Sequence, residues 1–396
     1  MITRPEELLE WCEKWDALAV TSGLPFSAPG WLLPWWLHVA PADARLNVVV
    51  VLNDGRLVGI APFFIDRSRL GLVRSRLLGV RTSTGVQPLS QTGLERDVAA
   101  AITSRLAESS PRAGALMLEG LSNTSSWPTL LSETWPGNLG LWGQSYRQLP
   151  APRVVLSDSD SFDAWLGAKS RNFRQQVRRS RRQLEKGGGR FGLASSEEEL
   201  QRGLRALVNL HHARWNKKGG SRALYPAVET MLAAAARSLP APERYRLWTI
   251  EIDGRIISAH LFVAAGGVLS YWLGGFDEAL AAQHPSMQTL LIAMEHGWSV
   301  GDRVFDLGPG GAAYKYRLAD QEDTLEWRIA IPRDTGHLAS RLRWLPVQMA
   351  RTMKRSLPQQ MRQKLVGARS RLDSMHSLLH GSSGQGRAKQ RDRFEQ

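Results

Sequence analysis

The apolar positions of this chain fall into runs of strand length and longer stretches with helical spacing, and their order predicts most of its elements. Leu8, Trp11, Trp15 and Leu18 keep helical spacing within 5–19, ahead of a Pro- and Trp-rich entry at 25–36. Apolar runs at 46–52 and 57–64 flank Asn53-Asp54-Gly55-Arg56, a hairpin connection. Further strands are expected at 76–80, 115–118, 144–148 and 153–156, with a helix at 94–108. A basic helix starts at the N-cap Ser170, carries Phe173, Val177, Ser180 and Leu184 on one face, and stops at Gly187-Gly188-Gly189. A strand at 190–193 and helices at 196–217 and 225–239 follow.

Three apolar runs, 247–252, 256–264 and 268–273, are separated by Asp253-Gly254 and Ala265-Gly266-Gly267 and predict an antiparallel meander. A polar break at 277–285, a helix at 286–298, a short strand at 303–306, a Gly-Pro-Gly-Gly turn, a segment at 312–319 and a strand at 324–331 complete this block. Asp54-Gly55-Arg56-Leu57 echoes Asp253-Gly254-Arg255-Ile256, each between apolar strands, so two similar α/β halves are expected. The divisions read as 1–157, 158–332, a basic amphipathic helical tail at 333–380 and a disordered end at 381–396. In the tail Leu342, Leu345, Met349, Met353, Met361 and Leu365 keep helical spacing, and Pro346 and Pro358 are expected to break it into short helices.

Composition narrows the function classes. One cysteine, Cys12, among 396 residues excludes an intrachain disulfide and a zinc site built on several thiolates, and fits a reducing, cytoplasmic setting. His211 and His212 have no carboxylate or thiolate company in the sequence, so no metal is expected. The start lacks the basic and apolar regions of a signal peptide, and no stretch approaches the roughly 20 apolar residues of a membrane span. The net charge of +14 is uneven: residues 333–396 hold 14 Lys/Arg against 4 Asp/Glu, and 169–190 hold nine basic residues against one acid. That pattern suits local anionic contacts, such as an anionic membrane surface reached by the tail, or packing on the body. No nucleic-acid reader motif accompanies it, so nucleic acid is not the expected partner.

The blocks Lys169-Ser170-Arg171-Asn172-Phe173-Arg174, Leu210-His211-His212-Ala213-Arg214-Trp215, Tyr271-Trp272-Leu273-Gly274-Gly275-Phe276-Asp277, Phe305-Asp306-Leu307-Gly308 and Tyr314-Lys315 resemble, in that order, the GNAT acyltransferase superfamily. The likeness is to its CelD/BcsL-like group, which is similar to the FemAB-like tandem transferases, and it extends over roughly residues 1–332. The resemblance implies α/β (α+β) tandem GNAT-like domains, each with a mixed, mostly antiparallel sheet flanked by helices. It implies acyl-CoA, acetyl or longer, as co-substrate, and transfer of an acyl group other than an amino-acyl group to an amine. Relatives of that kind are associated with exopolysaccharide or cellulose assembly, so an amino sugar or nucleotide sugar leads as acceptor. A lipid amine of sphingoid type is the second choice, and a non-catalytic adaptor retaining the fold is the alternative of another class.

The same resemblance nominates site residues. Lys315 and Tyr314 face the active site, Lys315 against anionic charge; a solvated lysine and a core aromatic are the plainer readings. Asp306 either orients a nucleophile or caps the next helix, and His260 is either a mid-strand structural histidine or a general base. Gly274 and Gly275 either let the donor approach the backbone or form a bulge. Gln283-His284-Pro285-Ser286-Met287-Gln288 stands where the family carries a glycine-rich phosphate loop, making His284, Ser286, Met287 and Gln288 the donor-phosphate candidates. The absent glycines leave CoA, an acyl-carrier protein and an aminoacyl-tRNA open as donors. Arg171, Arg174, Trp215 and Asp277 are the substrate-binding candidates.

Overall fold

The structure, a computed structural model, describes residues 1–137, 140–217 and 219–356. Its first part contains α1 (Cys12–Thr21), α2 (Pro29–His38), β1 (Arg45–Asn53), β2 (Arg56–Arg67), β3 (Val73–Leu77), β4 (Leu89–Ser90), α3 (Glu95–Glu108), β5 (Ala115–Ser122), α4 (Trp127–Glu133) and β6 (Leu141–Val155). The second contains α5 (Phe162–Ala168), α6 (Arg171–Lys186), β7 (Arg190–Leu193), α7 (Glu197–Asn216), α8 (Pro226–Ser238), β8 (Tyr245–Ile252), β9 (Arg255–Ala265), β10 (Val268–Phe276), α9 (Pro285–Ser299), β11 (Val304–Asp306), α10 (Ala313–Tyr316) and β12 (Gln321–Pro332). Helix α11 (His337–Ser356) follows.

The repeat read from the Asp-Gly turns is a repeat of topology. β1, β2 and β3 pair antiparallel in sequence and β3 then runs parallel to β5, with α3 in the crossover. β8, β9 and β10 do the same, and β10 runs parallel to β11, with α9 in the crossover. Both hairpin turns have Asp then Gly at positive φ (47° and 74° at Asp54-Gly55, 47° and 75° at Asp253-Gly254), the geometry that matches strand twist in a two-residue hairpin.

The two halves do not form separate sheets. They join in one 12-stranded sheet of order β1-β2-β3-β5-β12-β6-β11-β10-β9-β8-β7, with β4 paired to β2 off this path. The join is an exchange of strands. β12, expected to close the second half, lies between β5 and β6, while β6 reaches across to pair with β11. At 15 residues β6 is long enough to serve both neighbours, and the two strands expected at 144–148 and 153–156 are one.

Other differences have local causes. Residues 29–38 are helical despite Pro34, and the tryptophans of α2 fill the core: Trp31 and Trp35 are buried, with their indole N–H groups donating to Ser83 Oγ at 2.6 Å and Thr82 Oγ1 at 3.0 Å. α11 runs unbroken through Pro346. The carbonyl a proline deprives of its donor is four residues back, on exposed Leu342, where water can replace it. Trp344 meanwhile anchors the helix against Tyr146, ring centroids 5.2 Å apart. The expectations for Pro358, Met361, Leu365 and 381–396 lie outside the described residues. Among the described residues no helix is long and apolar enough to cross a membrane. The basic helix α6 forms as read, with the Phe173 N–H donating to Ser170 Oγ and Phe173, Val177, Ser180 and Leu184 buried.

Where the first half's parallel strands part, an ion network sits between them. Arg76 is buried and donates to Asp66 Oδ2 at 3.1 Å and to Glu119 Oε2 at 2.7 Å; Arg74 grips Asp66 at 2.7 and 2.6 Å, and the Tyr146 hydroxyl donates to Glu119 at 3.0 Å. Removing the central guanidinium leaves Glu119 without its cation in a nearly dry place, while Asp66 keeps Arg74. Arg76→Ala is expected to cost about 3–5 kcal/mol, measured by urea unfolding; a loss below about 1 kcal/mol would mean that water replaces the guanidinium.

Candidate active site

β10 and β11 stay parallel for only three residue pairs, the last being Ser270 with Asp306. β11 ends there, while β10 follows β9 as far as Phe276 past a bulge at Trp272. The strands therefore fork. Tyr271, Trp272 and Leu273 form one wall, and Asp306, Gly308 and Pro309 the other; between them and the first half lies a cavity of about 450 Å³. Trp272 spans to that half, its indole N–H donating to Thr82 O at 2.9 Å and its ring packing edge-on against Trp31. Arg81, Arg147 and Trp327 line the opposite side, with the Arg147 guanidinium 4.4 Å over the Trp327 ring, and Arg343 and Trp344 of α11 complete it.

Asp306 is the titratable group at the crotch of the fork. Its carboxylate accepts the Gly308 N–H at 2.8 Å and the Ser270 hydroxyl at 3.4 Å. Burial raises its pKa above the ordinary aspartate value, and the Gly308 amide, the Lys315 ammonium and Ser270 hold the rise in check. A carboxylate made more basic suits taking a proton from an ammonium group.

Lys315 lies beneath this wall. It is buried, and its Nζ donates to Gly308 O and Pro309 O at 2.8 Å each, so it holds the glycine turn against the strand end. Burial lowers its pKa to about 8, opposed by Asp306. Tyr314 and Tyr271 hydrogen-bond through their hydroxyls; burial pushes both phenols up, with Arg214 opposing, and both stay protonated donors at neutral pH. Asp306, Lys315 and Tyr314 are thus gathered at one place by β11, the glycine turn and the four-residue α10.

His260 belongs elsewhere. It is fully buried, neither ring nitrogen has a hydrogen-bond partner, and burial lowers its pKa to about 3. Its ring packs on Tyr271 and Phe262, centroids 5.5 and 6.4 Å away, and a Cβ on Gly274 would come within 2.5 Å of it. A sealed, neutral imidazole cannot collect protons from a substrate, so the general-base reading of His260 is corrected to a packing role. Gly274 is needed for that ring, and Gly275 for α7, since its Cβ would stand 2.8 Å from His211 N. The close approach these glycines permit is to the protein's own interior.

The donor-phosphate candidates gather at the start of α9. His284 takes the left-handed conformation (φ 53°) and its Nε2 lies 2.7 Å from Gln176 Nε2 on α6. Pro285 has no N–H, so Ser286 and Met287 supply the first amides of the helix. The Gln288 side chain is buried and donates to Val177 O at 3.0 Å, binding α9 to α6 rather than facing a ligand. These first amides, at the positive end of a 15-residue helix beside a basic one, fit a phosphate-bearing donor.

The expected substrate-binding residues scatter. Arg174 donates to Gly167 O and Lys169 O, closing the corner between α5 and α6, and Arg171 is exposed at the start of α6. Trp215 stacks on the buried His211 ring at 5.9 Å, and His212 pairs with Glu229. Asp277 caps the turn after β10 and pairs with Arg255 at 2.9 Å. None of these four candidates lines the cavity. Sequence reading missed Arg81 after β3, Arg147 on β6, Trp327 on β12 and Arg343 on α11, which only the sheet order and the return of α11 bring to one cavity.

Residues 171–316 match the acetyltransferase (GNAT) domain family. Among solved structures, that of FemX is similar over 85% of this chain and 98% of its own, at 10% identity and a TM-score of 0.59. The structure of L-PGS from Bacillus licheniformis covers 86% and 97% at 13% identity and a TM-score of 0.51. That of a conserved protein of unknown function from Bacteroides thetaiotaomicron covers 82% and 97% at 11% identity and a TM-score of 0.51. These likenesses are of fold. No curated protein matches the chain in sequence.

Proposed function

We propose that the chain is an N-acyltransferase that moves an acyl group, other than an amino-acyl group, from a thioester of CoA to an amine held in the 450 Å³ cavity. The observation that carries this reading is Asp306, a carboxyl of raised pKa at the last paired position of a strand fork, lining the acceptor cavity. The amine attacks the thioester carbonyl carbon, forming the C–N bond as its ammonium proton passes to Asp306. The C–S bond then breaks, and the Tyr271–Tyr314 phenol pair donates a proton to the departing thiolate. The bulge at Trp272 frees main-chain groups from the strand ladder at the fork, where developing oxyanion charge is met. Lys315 keeps the second wall in place, and the start of α9 holds the donor's phosphates through Ser286 and Met287 amides.

The acceptor side supports an amine that also bears an anionic group. Arg81, Arg147 and Arg343 line the cavity, and Trp327 and Tyr146 offer flat faces. An amino sugar carried on a nucleotide, as in exopolysaccharide- or cellulose-type assembly, has both features. A sphingoid-type lipid amine is the second reading, favoured by the apolar lining of Leu72, Met117, Trp344 and Val347.

Thiol release and product mass should be followed with acetyl-CoA and a long-chain acyl-CoA against a nucleotide amino sugar, a free hexosamine and a sphingoid amine. Acceptor-dependent release, with a product heavier by the acyl group, is the expected result. Transfer only from an aminoacyl-tRNA would replace the donor, and no transfer from any donor would leave the adaptor reading.

A further inference from the structure

Helix α11 has two dissimilar faces. Its inner face holds Ser340 and Trp344, both buried, and Trp344, Arg343 and Val347 line the acceptor cavity. Its outer face carries Leu338, Leu342, Leu345 and Met349, at spacings of four, three and four that bring them to one side of a helix. They are exposed by 73, 67, 45 and 58%, the largest grouping of exposed apolar side chains on one element of the described residues. A row of aliphatic side chains held in water is unfavourable unless something covers it.

The charge of the sequence along and after this helix indicates what does. Residues 335–372 contain nine Lys/Arg and no Asp/Glu. Arg341 flanks the row, its guanidinium 4.6 Å over the Trp142 ring. A second feature adjoins the same helix: the turn between β2 and β3 exposes Leu70 between Arg69 and Gly71, with Arg67 also exposed, and its Leu72 packs in the cluster that holds Trp344. Aliphatic side chains in a row, basic residues alongside and no acid match the interface of a bilayer bearing anionic headgroups, where the aliphatic groups enter the acyl boundary and the cations stay at the phosphates.

We propose that the outer face of α11 docks this protein on an anionic lipid surface, Leu338, Leu342, Leu345 and Met349 inserting and Arg341, with Arg67 and Arg69 of the adjoining turn, holding the headgroups. Because the inner face of the same helix walls the acceptor cavity, docking sets that wall of the cavity against the headgroup layer. The surface stands on α11 and the turn beside it and does not depend on the acyl-transfer reading.

The test is co-sedimentation of the full chain with vesicles of phosphatidylcholine, with and without 30 mol% (about one lipid in three, enough to give a strong surface potential) phosphatidylglycerol. The expected result is binding to the anionic vesicles that weakens with added salt, with at least a roughly tenfold weaker partition for the combined Leu338→Ser, Leu342→Ser, Leu345→Ser and Met349→Ser variant. These side chains are exposed, so the variant keeps its melting temperature. A second variant, Arg67→Glu with Arg69→Glu and Arg341→Glu, is expected to lose the preference for anionic over neutral vesicles. No pelleting with anionic vesicles overturns the proposal, as does equal pelleting of wild type and serine variant. Concentration-dependent self-association abolished by the serine substitutions would also overturn it, assigning the row to a second copy of the chain.

Discussion

Asp306→Asn is expected to lower kcat/KM about 10²–10⁴-fold while leaving the fold intact. The amide oxygen of asparagine can accept the Gly308 N–H in place of Oδ1, and its NH2 group, in place of Oδ2, can donate to the Ser270 hydroxyl, so the strand end and the turn keep their hydrogen bonds. What disappears is the proton acceptor. The pH profile separates this from a packing effect. Burial has raised the Asp306 pKa, so in the wild type kcat/KM rises with pH through an acid limb placed above the usual aspartate range. In the asparagine variant that limb is absent, and the residual rate follows only the ionisation of the amine substrate. A variant with the same acid limb and a rate within about threefold of wild type would remove Asp306 from the chemistry, since a working general base contributes far more.

Lys315→Met is expected to have the next largest effect, through position and field together. Lys315 pins the Gly308–Pro309 turn by two hydrogen bonds and places a positive charge beside Asp306. Without it the wall carrying Asp306 loses its tether, and a displacement of about 1 Å at a reacting group is enough for a loss on the order of 10²-fold. The lost charge also shifts the acid limb to higher pH, because the lysine at present restrains the rise of the Asp306 pKa. A displaced limb distinguishes this from mere loosening of the turn. Lys315 has its own signature in stability. Its pKa is depressed from 10.5 to about 8, so the unfolded chain binds that proton more tightly. The lysine costs stability below about pH 8, and the cost fades as pH rises toward its unfolded value. Thermal melts of wild type against Lys315→Met across that window should converge as pH rises.

Much of this site is legible in the chain because its parts are local. The meander, the glycine turn and Asp306 sit within one stretch, and the stripe Phe173, Val177, Ser180, Leu184 states which face of α6 is buried. What escapes is whatever depends on partners far apart in sequence. His260 reads as a candidate base because an alternating strand pattern does not say which covering layer seals a side chain; the answer lies in Gly274 across the ladder. β12 reads as the last strand of the second half, and only the length of β6 lets the two exchange places. Trp15, Trp31 and Trp35 fill the first half's core, and the exposed apolar row on α11 is leucine and methionine. Pro346 signals a helix end from local rules, and Trp344 packing outweighs it.

The central claim is that the fork between β10 and β11, with the start of α9, receives an acyl thioester. The most direct measurement is the melting temperature of the purified chain with acetyl-CoA, a long-chain acyl-CoA or free CoA, for the wild type and for Asp306→Asn. Ligand held by the folded state raises the melting temperature with the logarithm of its excess over Kd. A rise with at least one acyl-CoA, retained in Asp306→Asn because the base is lost and the donor site is not, is the predicted result. No rise with any of them, for either protein at millimolar ligand, would contradict the claim.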